Sequence, residues 1–159
     1  MGRSNHVGIL MPSSAGFLTT FFAVTRIGAV AVPLTTFSTP RELQWLIRHA
    51  NVSVLLTARS FRSHDFLATL QEALPGLEAG SKTPLYLREA PSLRRVFIEA
   101  DPALMALAAG TSDEQLAAVE ADVSPADRLV IVHTSGSTSA PKGVIHTHGG
   151  LINHVQNLN

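Results

Sequence analysis

The chain has no cysteine, and charged residues make up only 15% of its 159 residues. Without cysteine there can be no disulfide framework, no thiolate nucleophile and no cysteine-ligated zinc site, and this absence suits a cytoplasmic protein. Twelve lysines and arginines balance twelve aspartates and glutamates, so the sequence has neither the basic surface of a nucleic-acid-binding protein nor an acidic tail. Because 45% of the residues are hydrophobic, the composition predicts a folded domain rather than a disordered chain.

Long apolar runs are also scarce. Residues 15–34 form a stretch long enough to cross a bilayer, which takes about 20 residues. This stretch contains Arg26, Gly28 and Pro33, and its two halves are better explained as a helix followed by a strand. We therefore predict no transmembrane segment.

The first 57 residues alternate between short apolar runs and amphipathic segments. Thr39 and Glu42 form a capping box ahead of an amphipathic helix, and Gly28 suits the left-handed end of the helix before it. The predicted elements are a strand at 7–11, a helix at 15–27, a strand at 29–34, a helix from Pro40 to Ala50 and a strand at 52–57. This alternation predicts an α/β fold in which right-handed crossovers build a parallel sheet with helices on both faces.

The middle of the chain carries weaker signals. Apolar spacing predicts a helix over 66–74, ended by Pro75 and Gly76, and a strand over 95–99. Ser112 and Gln115 form a second capping pattern that predicts a short helix through Val119. Between these elements, the residues from Leu77 to Pro91 are predicted to be a surface excursion, and no domain boundary is evident.

The segment from Thr134 to Gly143 is the most informative part of the sequence. Apolar strands are predicted on both sides of it, at 129–133 and 144–147, and a helix is predicted from Gly149 onward. The segment holds five hydroxyl side chains, two glycines, one proline and one lysine, and no acid. Glycines let successive backbone N–H groups converge, and Lys142 adds a compact positive charge, so the segment favours a site for a multiply charged anion such as polyphosphate. The alternative is a flexible serine–glycine linker, against which Pro141 and the two flanking strands count.

Three other kinds of site fit the sequence less well. A Walker loop needs Ser or Thr after its lysine, whereas Gly143 follows Lys142. A hydrolase nucleophile elbow needs a second glycine that Gly136-Ser137 lacks. Four histidines occur near the end of the chain, and two of them would face one side of a single strand, but no cysteine or nearby acid accompanies them. We therefore predict no metal site at these histidines, which are His133, His146, His148 and His154.

The segment resembles the phosphate loop of the adenylate-forming (AMP-binding) superfamily, specifically its acyl-CoA synthetase, or fatty-acid–CoA ligase, branch. That loop follows the pattern aromatic-T-S-G-S/T-T-G-x-P-K-G-V, and Thr134–Thr138 and Pro141–Val144 match it. Two positions depart from the pattern, since His133 replaces the aromatic residue and Ser139 replaces a glycine. If that glycine position has a positive φ, Ser139 costs about 1 kcal/mol there and loosens the loop.

The resemblance extends beyond the loop. Val7–Pro12 and Gly28–Leu34 are similar to the V-x-I-L-x-P and G-A-V-x-V-P-L segments of the family, and Pro125 and Asp127 match its approach to the loop. Residues 144–148 are more similar to acyl-CoA synthetases than to the adenylation domains of peptide synthetases.

The resemblance implies a reaction and a set of binding residues. An intact enzyme of this kind activates a carboxylic acid, fatty or aryl, with ATP and Mg²⁺ and then transfers the acyl group to coenzyme A. Lys142 would counter the charge that develops on the leaving pyrophosphate, and none of the loop residues would be catalytic. The residues assigned to the ATP phosphates are Thr134, Ser135, Gly136, Ser137, Thr138, Ser139, Lys142 and Gly143.

The resemblance also implies that residues 1–159 are a single incomplete N-terminal domain, because members of the family are much longer. The magnesium-binding glutamate and the C-terminal lid domain would lie outside these residues. We expect this chain alone to be inactive and poorly soluble. Two other functions stay open, which are an adenylation domain of the peptide-synthetase or luciferase-like type and a non-catalytic nucleotide-binding module.

Overall fold

A computed structural model of the protein describes residues 2–134 and 141–158. Its strands are β1 (His6–Leu10), β2 (Val30–Pro33), β3 (Val54–Thr57), β4 (Ser60–Phe61), β5 (His64–Asp65), β6 (Arg95–Ile98), β7 (Arg128–Thr134) and β8 (Lys142–Thr147). Its helices are α1 (Ala15–Arg26), α2 (Pro40–His49), α3 (Phe66–Ala73), α4 (Pro102–Ala109), α5 (Asp113–Ala121) and α6 (His148–Gln156).

The main sheet is mostly parallel and runs in the order β6-β3-β1-β2-β7-β8. Strand β1 pairs in parallel with β2 and β3, and these pair in parallel with β7 and β6 respectively. Only β8, at one edge, is antiparallel to its neighbour, and β4 and β5 form a separate two-stranded hairpin. The predicted α/β class, with its parallel sheet, is confirmed.

The core is centred on β1. Val7 and Ile9 are fully buried, and Leu10 is 1% exposed. Because successive strand residues point to opposite faces, burial of both sets means that the centre of the sheet is covered on both sides. Gly8 lies between them where there is no room for a side chain. An added Cβ would lie 2.8 Å from Cδ1 of Leu55 and 3.0 Å from Cγ1 of Val52.

The helix boundaries of the first half follow the predicted signals. Ser14 caps α1 by accepting a hydrogen bond from the Phe17 N–H, and Gly28, just beyond α1, has a φ of +70°. At the start of α2, Thr39 accepts from the Glu42 N–H, while the Glu42 carboxylate accepts from the Thr39 N–H. The capping box is therefore confirmed, and it fixes the first residue of α2 at Pro40, after the loop that follows β2.

The middle of the chain differs from the sequence prediction in one hairpin, one helix and one loop. The short β4–β5 hairpin was not predicted. Helix α4 was not predicted, because its nearly uninterrupted apolar sequence lacks the alternation of apolar and polar faces that marks an amphipathic helix. Its start does carry a local signal, since the Asp101 carboxylate accepts from the Ala103 N–H at 2.8 Å. Residues 77–91 contain no helix or strand, as predicted, but they are more than a surface excursion because Leu77, Leu85 and Ala90 are buried in the core.

Residues 15–34 divide into α1 and β2, as predicted. Over the described ranges, 2–134 and 141–158, no helix combines the length and the apolar character that crossing a membrane would require.

Candidate functional site: the β7–β8 hairpin

The predicted anion-binding segment lies at the end of an antiparallel hairpin. In the β7–β8 ladder His133 is opposite Gly143, and Thr134 is opposite Lys142. The Thr134 hydroxyl donates a hydrogen bond to the Lys142 carbonyl oxygen at 3.4 Å. This geometry corrects the loop boundaries predicted from sequence, because Thr134, Lys142 and Gly143 belong to the paired strands. Lysine and glycine carry little strand preference of their own, so their pairing with β7 decided the boundary.

Five of the predicted phosphate-binding residues lie outside the described part of the chain. These are Ser135, Gly136, Ser137, Thr138 and Ser139, which follow Thr134 directly. Their assignment to the ATP phosphates stays a prediction, and so does the conformational cost at Ser139.

The two sides of the hairpin end present different chemistry. Residues that are directly opposite in an antiparallel ladder project their side chains to the same face. The Thr134 hydroxyl and the Lys142 ammonium therefore share one face, where both side chains are exposed, and His133 lies on the other face with Gly143. No aspartate or glutamate follows Asp127 in the sequence, so neither strand beyond that point carries a carboxylate that would compete for the lysine.

His133 packs against the backbone of the opposite strand. A Cβ added to Gly143 would lie 3.0 Å from Cγ2 of Ile131 and 3.4 Å from Nε2 of His133. The Nδ1 atom of His133 is buried and has no hydrogen-bond partner among the described residues. Burial is the main cause that lowers the pKa of His133, and the nearby charge of His49 lowers it further. The site therefore favours the neutral imidazole.

The face of the hairpin that carries His133 meets helix α2. The rings of Trp45 and His49 are stacked, with centroids 4.4 Å apart and 14° between their planes. The His49 ring in turn meets the His133 ring edge-on, at 6.2 Å and 68°. On the other arm of the hairpin, Pro141 and Trp45 line a pocket of about 280 Å³ together with Arg41, Glu42 and Leu46. Sequence reasoning missed Trp45 and His49, because nothing in their local pattern relates them to a segment more than 80 residues later.

The other end of the hairpin is fixed by Asp127, just before β7. The Asp127 carboxylate accepts hydrogen bonds from the Arg3 side chain at 2.6 and 3.0 Å and from the Ser124 N–H at 2.8 Å. These bonds, led by the one from Arg3, lower the pKa of Asp127. Backbone bonds from His148 to the Asp127 carbonyl (3.0 Å) and from Gly149 to the Pro125 carbonyl (2.8 Å) hold the start of α6 beside it.

The histidines do not form a metal site within the described residues. His146 lies on β8, whereas His148 is the first residue of α6, so the two histidines do not share one face of a single strand. Thr147 between them is the N-cap of α6, and capping ends the strand there. In residues 2–134 and 141–158, no group of three or more histidines or acids is placed to hold a metal ion.

Comparison with known proteins identifies the family. The AMP-binding enzyme family model matches residues 1–159. The chain belongs to this family. It is 27% identical over 148 residues to the long-chain-fatty-acid–CoA ligase FadD13 of Mycobacterium tuberculosis, a match that covers 93% of the chain and 25% of the ligase. It is 30% identical over 154 residues to the acyl-CoA ligase sidI of Beauveria bassiana, covering 97% of the chain and 26% of that ligase.

The fold agrees with this membership of the AMP-binding enzymes. The structure is similar to that of the long-chain-fatty-acid-CoA ligase FadD1 of Archaeoglobus fulgidus, with a TM-score of 0.66 and 22% identity. That similarity covers 99% of this chain and 28% of the archaeal chain. The fold is also similar to that of the N-terminal domain of FACL13 from Mycobacterium tuberculosis, with a TM-score of 0.59 and 24% identity over 93% of this chain and 32% of that chain. The chain spans 25–26% of the length of the two ligases above.

Proposed function

We propose that this chain supplies the ATP-phosphate-binding part of an ATP-dependent carboxylic acid–CoA ligase. The observation that carries the proposal is the pairing of Thr134 with Lys142 at the last rung of the β7–β8 ladder. The pairing brings a hydroxyl and an ammonium group to one face, at the two ends of the segment that matches the family's phosphate loop. Lys142 supplies a cation for phosphate oxygens, and the Thr134 hydroxyl can donate to them by giving up its long, 3.4 Å bond to the Lys142 carbonyl oxygen.

The proposed reaction has two halves. In the first, a carboxylate oxygen of the acid attacks the α-phosphorus of ATP, and the bond to the bridging oxygen breaks, so that pyrophosphate leaves with the electron pair. Lys142 offsets the charge that builds on this leaving group, and the hydroxyl of Thr134 helps to orient it. Positioning and electrostatic stabilisation account for this role without a nucleophile or general base from the hairpin.

In the second half, the thiol sulfur of coenzyme A attacks the carbonyl carbon of the acyl-adenylate, the bond from that carbon to the phosphate oxygen breaks, AMP leaves with the electron pair, and the thiol proton passes to solvent. Mg²⁺ would neutralise phosphate charge when it is bound with ATP, and we assign its protein ligand to residues outside the described ranges. The hairpin offers the ion no carboxylate, because no aspartate or glutamate follows Asp127 in the sequence.

The relatives favour a CoA ligase over the other two candidate functions. Both curated relatives are named as CoA ligases, one for long-chain fatty acids and one for an acyl group. We therefore propose a carboxylic acid substrate, in the first place a fatty acid, and coenzyme A as the acyl acceptor. The two relatives give less support to the alternative functions, which are an adenylation domain of the peptide-synthetase or luciferase-like type and a non-catalytic nucleotide-binding module.

The binding role is tested by the ATP affinity of the Lys142→Ala variant, measured by calorimetry. Because a hydrogen bond to a charged group contributes about 1.5–3 kcal/mol, we expect the Kd for ATP to rise roughly tenfold or more. Lys82→Ala is the matched control, since Lys82 is an exposed lysine in the 77–91 segment. Equal ATP affinity of the wild-type protein and the Lys142→Ala variant would remove the role assigned to this side chain.

The reaction is tested separately by acid-dependent exchange of labelled pyrophosphate into ATP. We expect ATP binding but no exchange from the purified 159-residue chain, because the matched ligases carry additional residues that the reaction would need. Exchange by this chain alone would contradict that expectation.

A further inference from the structure

Helix α2 contacts one arm of the hairpin that carries the phosphate-binding segment and borders a pocket at the other arm. His49 of α2 meets His133 on the arm that enters the segment, and Trp45 shares a pocket with Pro141 on the arm that leaves it. Trp45 and His49 are stacked on each other, so the two contacts belong to one group of rings. We call the side chains of Trp45, His49 and His133 the ring array.

We propose that His133 is a positioning residue for ATP, which holds the β7–β8 hairpin against α2 through the ring array while its imidazole is neutral and releases the hairpin when it is protonated. This inference rests on the proposed function, because it assumes that the segment held by the hairpin binds the phosphates of ATP. His133 itself is not proposed to touch ATP, since it lies on the opposite face from Thr134 and Lys142.

The packing around His133 shows why a ring is required at this position. Gly143 lies opposite His133, close to its Nε2 atom, and the His49 ring lies against the edge of the His133 ring. An aromatic ring of similar size would keep these contacts, whereas alanine would leave a gap between α2 and the hairpin. Loss of buried contact on one side of a small hairpin is expected to let its end shift. Shifts of about 1 Å in a positioning group can cost up to about a hundredfold in the step it supports.

The charges around the array explain its dependence on protonation. His49 is the titratable group whose ring meets that of His133, and its charge lowers the pKa of His133. Arg41 and Glu42 line the pocket between Trp45 and Pro141, and the Glu42 carboxylate is already bonded to Thr39. A second pocket beside Trp45 is lined by Arg48, Arg88 and Glu89. Among the described residues no acid is bonded to His133, so a proton on this partly buried ring adds a positive charge without a described partner, which is unfavourable.

The sign of the pH dependence follows from the lowered pKa of His133. The folded protein holds this proton less tightly than a free histidine, whose pKa is about 6.5. If ATP binding requires the neutral ring, the affinity for ATP should be at its full value above the pKa of a free histidine. The affinity should weaken as the pH falls through the lower pKa of His133 in the folded protein.

Trp45 gives a direct readout of the array, because it is the single tryptophan of the chain. Protonated imidazole quenches the fluorescence of a nearby indole, so the emission of Trp45 reports protonation in the array in the absence of ATP. The experiment compares wild type with His133→Phe and His133→Ala, and uses His154→Phe, on the exposed side of α6, as the matched control. Three quantities are measured between pH 5 and pH 8, which are Trp45 emission, the Kd for ATP and the hydrogen-exchange protection of β7 and β8.

At neutral pH we expect His133→Ala to raise the Kd for ATP roughly tenfold and to lower the protection of both strands. His133→Phe should restore both properties to within about twofold of wild type, since it keeps the ring packing. Wild type and His154→Phe should lose ATP affinity as the pH falls, whereas His133→Phe should not show this loss. The pH-dependent change in Trp45 emission should be smaller in His133→Phe than in wild type.

Two results would overturn the inference. One is an unchanged Kd for ATP and unchanged strand protection in His133→Ala, which would remove the positioning role. The other is an equal loss of ATP affinity at acid pH in wild type and His133→Phe, which would remove the role of protonation. If wild type binds no ATP while His133→Ala loses strand protection and His133→Phe restores it, the bracing of the hairpin is supported and the proposed function fails.

Discussion

Arg3 and Asp127 are 124 residues apart in the chain, yet the guanidinium Nη2 of Arg3 lies 2.6 Å from Oδ1 of Asp127. The Asp127 side chain is 13% exposed, whereas that of Arg3 is 56% exposed. The same carboxylate accepts from the Ser124 N–H just before β7. This ion pair joins the start of the chain to the base of the hairpin that carries the candidate site.

Replacement of either partner should lower the free energy of unfolding. Arg3→Gln removes the main cause that lowers the pKa of Asp127 below 3.8. A carboxylate with a lowered folded pKa stabilises the fold above its unfolded pKa, and this stabilisation is lost as the pH falls through the folded value. Denaturant unfolding should therefore show a difference between wild type and Arg3→Gln at neutral pH that disappears in acid.

The double variant Arg3→Gln/Asp127→Asn is the control for this pair. If the two side chains act through each other, Arg3→Gln should have little further effect once Asp127 is replaced by Asn. Additive losses, or a difference from wild type that persists unchanged in acid, would contradict the assignment.

Gly8→Ala should destabilise the protein by about 1–3 kcal/mol, because overpacking of a filled core has this cost. The added methyl would come within 2.8 Å of Cδ1 of Leu55, which is fully buried, and within 3.0 Å of Cγ1 of Val52. Gly2→Ala is the matched control, since nothing lies within 4 Å of its added Cβ. Thermal unfolding of the two variants checks the prediction, and equal stability would show that β1 tolerates a side chain at Gly8.

Thr39→Ala should destabilise the protein by about 1 kcal/mol, because α2 loses its N-cap and half of its capping box. Thr39→Ser keeps the hydroxyl that accepts from the Glu42 N–H and should retain most of the stability. The comparison by chemical denaturation isolates the hydroxyl from other effects of the substitution. A loss of equal size in Thr39→Ser would argue against the cap as its cause.

Gly143→Ala should weaken ATP binding through the ring array. Its methyl group would lie 3.0 Å from Cγ2 of Ile131 and would press against His133. If strain of about 1 kcal/mol falls on the binding-competent hairpin, the Kd for ATP rises about fivefold. Gly110→Ala is the control, since its added Cβ would make only an ordinary contact with the Leu107 carbonyl at 3.6 Å. Calorimetric titration with ATP should separate the two variants.

Much of the first half of the fold could be predicted from neighbouring residues alone. Leu43, Leu46 and Ile47 recur at the spacing of one helix face, and all three are buried in α2. The apolar run of β1 and the left-handed Gly28 were equally predictable, because a hydrophobic run and a positive φ depend on local chemistry. The order of residues in the segment from Thr134 to Gly143 was likewise enough to indicate the family, which the match over residues 1–159 confirms.

Helix α4 and the true start of β8 could not be predicted in the same way. An almost uniformly apolar sequence such as that of α4 has no periodicity to distinguish a helix from a buried strand. Lys142 and Gly143 become part of β8 because they pair with Thr134 and His133, and such pairing is decided across the hairpin.

Local residue chemistry was sufficient to specify the strand–helix alternation of the first half and to indicate the family through the segment after β7. The tertiary structure alone determined that Trp45 and His49 lie beside the arms of the β7–β8 hairpin and that Arg3 is bonded at its base. The physical reason is that ring stacking and ion pairing depend on distance in space. The number of residues between His49 and His133, or between Arg3 and Asp127, does not show how far apart the side chains lie in space. That distance is set only when the sheet assembles and brings them together.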